Sequence, residues 1–451
     1  MARPKHPLTA LGLSIAYGYA GKHWRVERCS MGRAVWADGP HGSGCVPAMT
    51  TATFSHETML PDASPKRRAS WWRGPRFLVE VFDGADEALD ALEAVQGGMT
   101  SNGALTSTGF QSLNWLTVLY EELAPAQRAM PRLVVVTERN SGEVAMILPL
   151  VIKKKRSLRV ARFADLGVSD YGAPILGPAL LSKSRSMRRA WRAVRQALRD
   201  VDLIRLENMP AEIAGRPNPL LSRAGIAPAR NPGHVLHIAA SVNEFIESRG
   251  EGFSTDFVHA LKLLAKEGQS RFFRATTPED IARAYSVLEE QQAARQPVRE
   301  RKSNSTEPAF RQFYERVAMD GSDVEFGYLF QLEVGGEAIA TLFGILHEGR
   351  FTVLRVGDAG ETWNDIGPAR LILIEMLRYF VDRGIRDFDL GRGEAALTAS
   401  FGALEVPLFD LIVARDLAAV PRATFHRVKG RARKNQRLRA FARGLARLGG
   451  G

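Results

Sequence analysis

The sequence predicts an α/β protein of two similar units, each a mixed sheet with a helical crossover. Three observations predict it. Residues 350–401 read as a strand, a loop, a long amphipathic helix and a second strand. The first half of the chain shows the same order of meander, helix and strand, at a spacing far beyond that of a solenoid repeat. The chain has 451 residues, 45% hydrophobic and 24% charged, which is room for two or three packed domains of ordinary composition.

Taken in order, residues 1–75 lack sustained periodicity and are rich in Gly, Pro, Ser, Thr and Arg, so they read as a disordered basic leader. Within them, residues 8–20 follow Arg3 and Lys5 and faintly resemble a signal peptide diluted by glycine, serine and tyrosine. The basic-aromatic stretch KRRASWWRG (66–74) reads as a solvated tail. Order begins at the strand FLVEVF (77–82), with helices near 85–94 and over 110–123. A meander follows: LVVVTE (133–138), a turn at Asn140-Ser141-Gly142, EVAMILPLVIKKK (143–155) and LRVARFA (158–164). The loop SDYGAP (169–174) leads to a basic helix over 186–200 and the strand VDLIRLEN (201–208).

The second half opens on HVLHIA (234–239), then helices over 253–268, 278–296 and 307–319. Thr277 is the expected N-cap of the second of these, with Glu279 and Asp280 in its first turn. VEFGYLFQLEV (324–334) turns at Gly335-Gly336 into EAIATLFGIL (337–346), and RFTVLRVGD follows from 350. Then comes the best-written helix of the chain. Gly367 frees the backbone at its start and Pro368 suits its first turn. Ala369, Leu373, Met376, Leu377 and Phe380 share one face; Glu375, Arg378 and Asp382 are expected on the solvent side, and Gly384 ends it. The free amides around Ala369 and Arg370, with the helix dipole, make a seat for a phosphate. No Gly-x-Gly or Gly-x-Ala step occurs where the first half's helix begins, near 184–187, so such a seat belongs to the second half alone.

The net charge of +12 is concentrated in the tails. Ten Lys or Arg and no acid follow Asp416, and 1–75 holds ten against four acids, which leaves 76–416 at −4. A mildly acidic body speaks against a broad nucleic-acid surface. The tail 416–451 reads as helical, with Val428, Leu438, Phe441, Leu445 and Leu448 on an interrupted apolar face that fits peripheral contact with an anionic membrane. The only two cysteines, Cys29 and Cys45, supply neither a disulfide framework nor a zinc site, which fits a cytoplasmic protein. No run of eighteen apolar residues is present, so no membrane span is expected.

Asn364-x-x-Gly367-x-Ala369, between a strand and a helix, is similar to the Gln/Arg-x-x-Gly-x-Gly/Ala element of the GNAT acyl-CoA N-acyltransferases. Over about 80–415 the chain resembles the CelD-type acetyltransferases tied to cellulose and exopolysaccharide synthesis, a branch of two GNAT-like units. The matching residues are Asp170-Tyr171, Ile366-Gly367-Pro368 and the stretch from Asp389 through Leu390, Gly391, Arg392 and Gly393 to Glu394. The helix start has Gly-Pro in place of Pro-Gly, and Leu397-Thr398 stand where the branch carries Tyr-Lys. The resemblance implies a first GNAT-like unit at 76–232 and a second at 233–415. The second would bind acetyl-CoA or another acyl-CoA through Asn364, Ile366, Gly367, Pro368, Ala369 and Arg370. The implied reaction is acyl transfer to an amine or hydroxyl of a small-molecule or saccharide acceptor. The runners-up are a Fem-like transfer from aminoacyl-tRNA and a degenerate scaffold.

Attack on a thioester needs a base for the incoming ammonium and a donor for the developing oxyanion. Asp358, beside the cofactor loop, and Glu394, at the far lip, are the candidate bases. Asp170, Tyr171 and Arg392 are expected to border the acceptor groove, while Asp389 lies in the last strand, where burial is equally expected. His234 and His237 fall on opposite faces of a strand and make no metal pair. Neither a Gly-x-Ser-x-Gly elbow nor a Walker loop occurs, so the expected site is metal-free.

Overall fold

The computed structural model describes residues 76–98, 104–179, 184–223, 225–295, 308–323, 325–393 and 395–415, with short pieces at 16–17, 72–73, 420–421 and 424–425. The expectations for the leader, for nearly all of the basic tail and for Glu394 therefore lie outside the described residues. All described residues fall in one compact unit.

The first sheet is built from β1 (Phe77–Asp83), β2 (Met130–Glu138), β3 (Val144–Lys155), β4 (Leu158–Phe163) and β5 (Leu203–Pro210). Helix α1 (Ala85–Gly97) follows β1, and α2 (Leu113–Val118) continues through a π turn at Leu119–Leu123. Strands β1 to β4 pair antiparallel in sequence. Helix α3 (Ser184–Ala197) then carries the chain over, so that β5 pairs parallel with β4. The strand β6 (Ile226–Pro228) reaches this sheet only through a later partner.

In the second half, β7 (Gly233–His237) is followed by α4 (Val242–Ser248), α5 (Glu251–Glu267), β8 (Ser270–Ala275), α6 (Pro278–Arg295) and α7 (Pro308–Asp323). A meander of β9 (Gly327–Val334), β10 (Glu337–His347) and β11 (Arg350–Asp358) leads to α8 (Pro368–Val381) and to β12 (Asp387–Asp389), parallel to β11. After α9 (Ala395–Ser400), β13 (Leu404–Val406) pairs with β7, and β14 (Leu408–Ala414) leaves this sheet altogether. It inserts between β6 and β5, so the first sheet takes a strand from the far end of the chain. Strands β6, β8, β13 and β14 are not among those expected from the sequence; β8 is half covered on each face.

Both halves thus repeat one plan, a three-strand antiparallel meander and a crossover helix ending in a parallel strand, in two mixed sheets. A shared core joins them. Phe110, Trp115 and Tyr120 of the first half pack in one cluster with Tyr285, Phe313 and Phe343 of the second, with Trp115 edge-on to Phe313 at 4.9 Å. Burying such aromatic area at a seam is what makes the two sheets one body.

Helix α8 departs from its expected one-sided character. Leu371, Ile372, Leu373 and Ile374 are all buried, and so is Glu375, expected on the solvent side. Its carboxylate accepts from Arg378 at 2.7 Å one turn on, which compensates the burial. Tyr379 likewise packs inward, its ring 5.0 Å from Phe330.

Candidate active site

Alternation along β11 and β12 separates two surfaces. Phe351, Val353, Phe388 and Leu390 pack in the core beneath α8. Arg350, Thr352, Asp387 and Asp389 point the other way, into a cavity of about 520 Å³. The opposite wall comes from the first half: Ser107, Thr108, Phe110, Tyr171 and Glu212. Parallel pairing of the two strands covers only Arg350–Asp387, Phe351–Phe388 and Thr352–Asp389. Beyond that point β11 runs on to Asp358 with only β10 beside it, toward the start of α8. The strands part at Asp389.

Asp389 is 3% exposed. Its Oδ1 accepts hydrogen bonds from the Tyr171 hydroxyl at 2.7 Å and from the Gly391 amide at 2.7 Å. Burial pushes its carboxyl up to about 6, against the opposing pull of those two donors. Tyr171 is itself pushed well above the usual phenol range, first by burial and then by the neighbouring Asp389 charge, so it stays a neutral donor. Two glycines make room for this contact. A Cβ at Gly233 would lie 2.3 Å from the Tyr171 hydroxyl, and one at Gly391 would lie 2.3 Å from Asp170 Oδ2, with φ of Gly391 at +65° besides.

Asp170 reaches the same turn. Its Oδ2 accepts from the Arg392 amide and its Oδ1 from Arg392 Nε, each at 3.2 Å. The three residues expected at the groove, Asp170, Tyr171 and Arg392, are therefore brought together, and they latch the first half onto the β12 turn. In the sequence Asp389 is marked only as a residue of the last strand, where burial is equally expected. The available signal was the alternation of Asp-Phe-Asp, which puts both acids on one face of a strand while Phe388 goes to the core.

The cavity is acidic. Glu212, Glu348, Asp387 and Asp389 line it, with Arg350 as the opposing charge. His347 also lines it; burial lowers its pKa, so the ring is neutral at pH 7, and its Nε2 lies 3.1 Å from Ser107 Oγ. Burial raises the Glu348 carboxyl, and Asp387 meets His237 at 3.0 Å.

The α8 start departs in part from expectation. Gly367 adopts a left-handed conformation, φ +63°, that favours glycine. The Arg370 amide, expected to point outward, is closed onto the Gly367 carbonyl at 3.0 Å, and the Leu371 amide joins it at 3.2 Å. Pro368 has no N–H, which leaves Ala369 as the remaining amide of that turn. Ile366, Pro368 and Ala369 are buried, whereas Asn364 is exposed. The Arg370 guanidinium folds back near Gly367, pairs with Asp256 at 3.4 Å, and holds a buried Nε with no hydrogen-bond partner. A dipole end, an unpartnered guanidinium donor and a left-handed glycine fit a pyrophosphate group. Asp358 is buried; it pairs with Arg295 at 3.2 Å and accepts from the Gly360 amide at 3.2 Å, so both of its oxygens are engaged.

Residues 254–397, about a third of the chain, match the family described as Acetyltransferase (GNAT) domain; the match spans α5 through α9. No curated protein matched the sequence. Among solved structures, the chain is similar to FemX (TM-score 0.49, 11% identity, covering 72% of this chain and 96% of that one). It is also similar to the C-terminal domain of a putative lysylphosphatidylglycerol synthetase from Agrobacterium fabrum (TM-score 0.44, 12% identity, 76% and 95%). A third likeness is to a tandem GNAT protein from the clavulanic acid biosynthesis pathway (TM-score 0.40, 14% identity, 74% and 98%). At these scores the structural likenesses carry no weight for function; the GNAT domain match stands on the sequence.

Proposed function

We propose that the protein transfers an acyl group from acyl-CoA to an amine held in the cavity between the two halves. The observation that supports this most is Asp389, a buried carboxyl raised to about 6, lining an acidic cavity where β11 and β12 separate. Bound acyl-CoA supplies an activated thioester carbonyl. Ala369 N–H and the Arg370 guanidinium hold the pyrophosphate at the α8 start, and Asn364, Gly367 and Pro368 shape that turn. Asp389, ionised at neutral pH, takes the proton that an acceptor ammonium must lose. The freed nitrogen lone pair then forms the C–N bond as the C–S bond breaks, and the second proton that the nitrogen must lose goes to the departing CoA thiolate, which leaves as the thiol. Tyr171 holds Oδ1, so Oδ2 is the oxygen that receives the proton. Asp170 and Arg392 fix the turn that carries Asp389. Asp358, its oxygens engaged by Arg295 and Gly360, acts on the shape of the donor side.

Four carboxylates against one arginine favour a cationic amine over a bare hydroxyl, and an amine-bearing saccharide precursor of exopolysaccharide assembly fits both this polarity and the family resemblance. The test is thiol release from acetyl-CoA in the presence of amino sugars, polyamines and the matching alcohols. Release that depends on the amine is expected. Release with the alcohols alone contradicts the acceptor class, and none with any acceptor contradicts the reaction.

A further inference from the structure

We infer that the solvent face of α3 is a docking surface for an anionic lipid bilayer. The helix buries Met187, Ala190, Trp191, Val194 and Leu198 against the first sheet. Its outer face presents Arg185, Arg188, Arg189, Arg192 and Arg195, and Arg199 follows just beyond, all exposed. Among the described residues no ion pair reaches these six. The acid at the end of the helix, Asp200, is engaged by Arg132 at 2.7 Å and Arg159 at 2.9 Å.

The repulsion is felt by neighbours. Arg223 and Arg415 each hold a buried Nε without a hydrogen-bond partner. Burial holds both guanidinium groups below their usual range, and Arg188 and Arg195 push Arg223 further down, as Arg195 does Arg415. The same surface continues along the hairpin between β3 and β4: Lys154, Lys155 and Arg156 are exposed, and Arg159 ties that hairpin to the helix end through Asp200. Among the described residues, folding has gathered like charges on this helix face that no acid pairs with, and such a surface suits a polyanion.

Two features favour a bilayer over a nucleic acid. The exposed residues of the helix face are arginines and Gln196, and Trp191 is turned into the core, so no aromatic platform is offered for base stacking. Arg415 also leads into the chain end, where ten Lys or Arg and no acid are interleaved with Val428, Leu438, Phe441, Leu445 and Leu448. That mixture suits a lipid interface, where charge meets headgroups and apolar side chains enter below them. Among the described residues no helix is long and apolar enough to cross a membrane.

The test uses the full chain with its tail intact, floated with vesicles of phosphatidylglycerol and phosphatidylcholine, or of phosphatidylcholine alone. Binding to the anionic vesicles only is expected, falling away near about 0.5 M salt. The Arg188→Gln/Arg192→Gln/Arg195→Gln variant weakens it about a hundredfold, from a loss of roughly fivefold per charge. The corresponding triple lysine variant, which keeps the charge, stays near wild type and shows that the helix surface tolerates substitution. Equal binding by the glutamine variant, or equal binding to neutral vesicles, overturns the inference. Tighter binding to a single-stranded RNA than to vesicles, lost in the same variant, assigns the face to nucleic acid and overturns it as well.

Discussion

The two halves place a parallel strand pair at the same point of the same plan, and they fill it differently. In the first half the pair is Val160–Leu203, Ala161–Ile204 and Arg162–Arg205. Arg162 meets Asp165 at 3.3 Å, and Arg205 meets Glu207 at 2.6 Å, so charge is matched on the spot. In the second half the third pair is Thr352–Asp389. Here a carboxyl is desolvated, held by two neutral donors and left beside a cavity. Their helices differ in the same sense. α3 keeps a fully solvated cationic face, whereas α8 is buried on nearly every side and begins at a left-handed glycine. Burial raises an acid in both copies, but Asp165 of the first is closed by its ion pair with Arg162, whereas Asp389 of the second is held by neutral donors beside a cavity, where chemistry can use it.

Substitutions can break this contrast. The largest expected effect is on turnover: Asp389→Asn lowers kcat about a hundredfold or more while leaving the acyl-CoA dissociation constant in place, measured by steady-state thiol release and titration. Next is Gly391→Ala, which forces a side chain into a left-handed residue against Asp170 Oδ2; a loss of about 2 kcal/mol or more is expected in urea unfolding.

A third effect follows from the raised Asp389 carboxyl. Its folded value of about 6 lies above the unfolded one, so folding retains a proton and this contribution to stability is present below about pH 4 and lost as pH rises through 6. Asp389→Asn removes that dependence, so its stability relative to wild type improves by about 2 kcal/mol between those limits, read from thermal or urea melts across pH. Tyr171→Phe gives a smaller change. It removes a donor that pulls the Asp389 pKa down, so the acidic limb of kcat/KM moves to higher pH. Smallest is Glu207→Gln in the first half: about 1 kcal/mol of stability at most and no change in kcat. A kcat effect there equal to that of Asp389→Asn would erase the distinction between the halves.

Much of the fold was legible because its signals are local. The turn at Gly335-Gly336, the Gly-Pro start of α8 and the periodicity of that helix all act within a few residues. Asp170, Tyr171 and Arg392 were legible as a group through the family pattern. What escaped was set by distant partners. The Tyr171–Asp389 contact spans 218 positions, and no local rule tells a buried structural acid from one beside a cavity. β14 was missed for the same reason, since only the first sheet, far back in the chain, supplies its partners. The seat at Gly367 was read correctly as a glycine turn but with too many free amides, because the return of Arg370 N–H to Gly367 O depends on how tightly that turn winds.

The most direct test of the division between donor seat and base is calorimetric titration of acetyl-CoA into wild type, Asp389→Asn and Gly367→Ala. Wild type and Asp389→Asn are expected to bind alike, and Gly367→Ala about tenfold or more weakly, since its side chain strains the turn that shapes the seat. No binding by wild type, or equal binding by Gly367→Ala, would contradict the account.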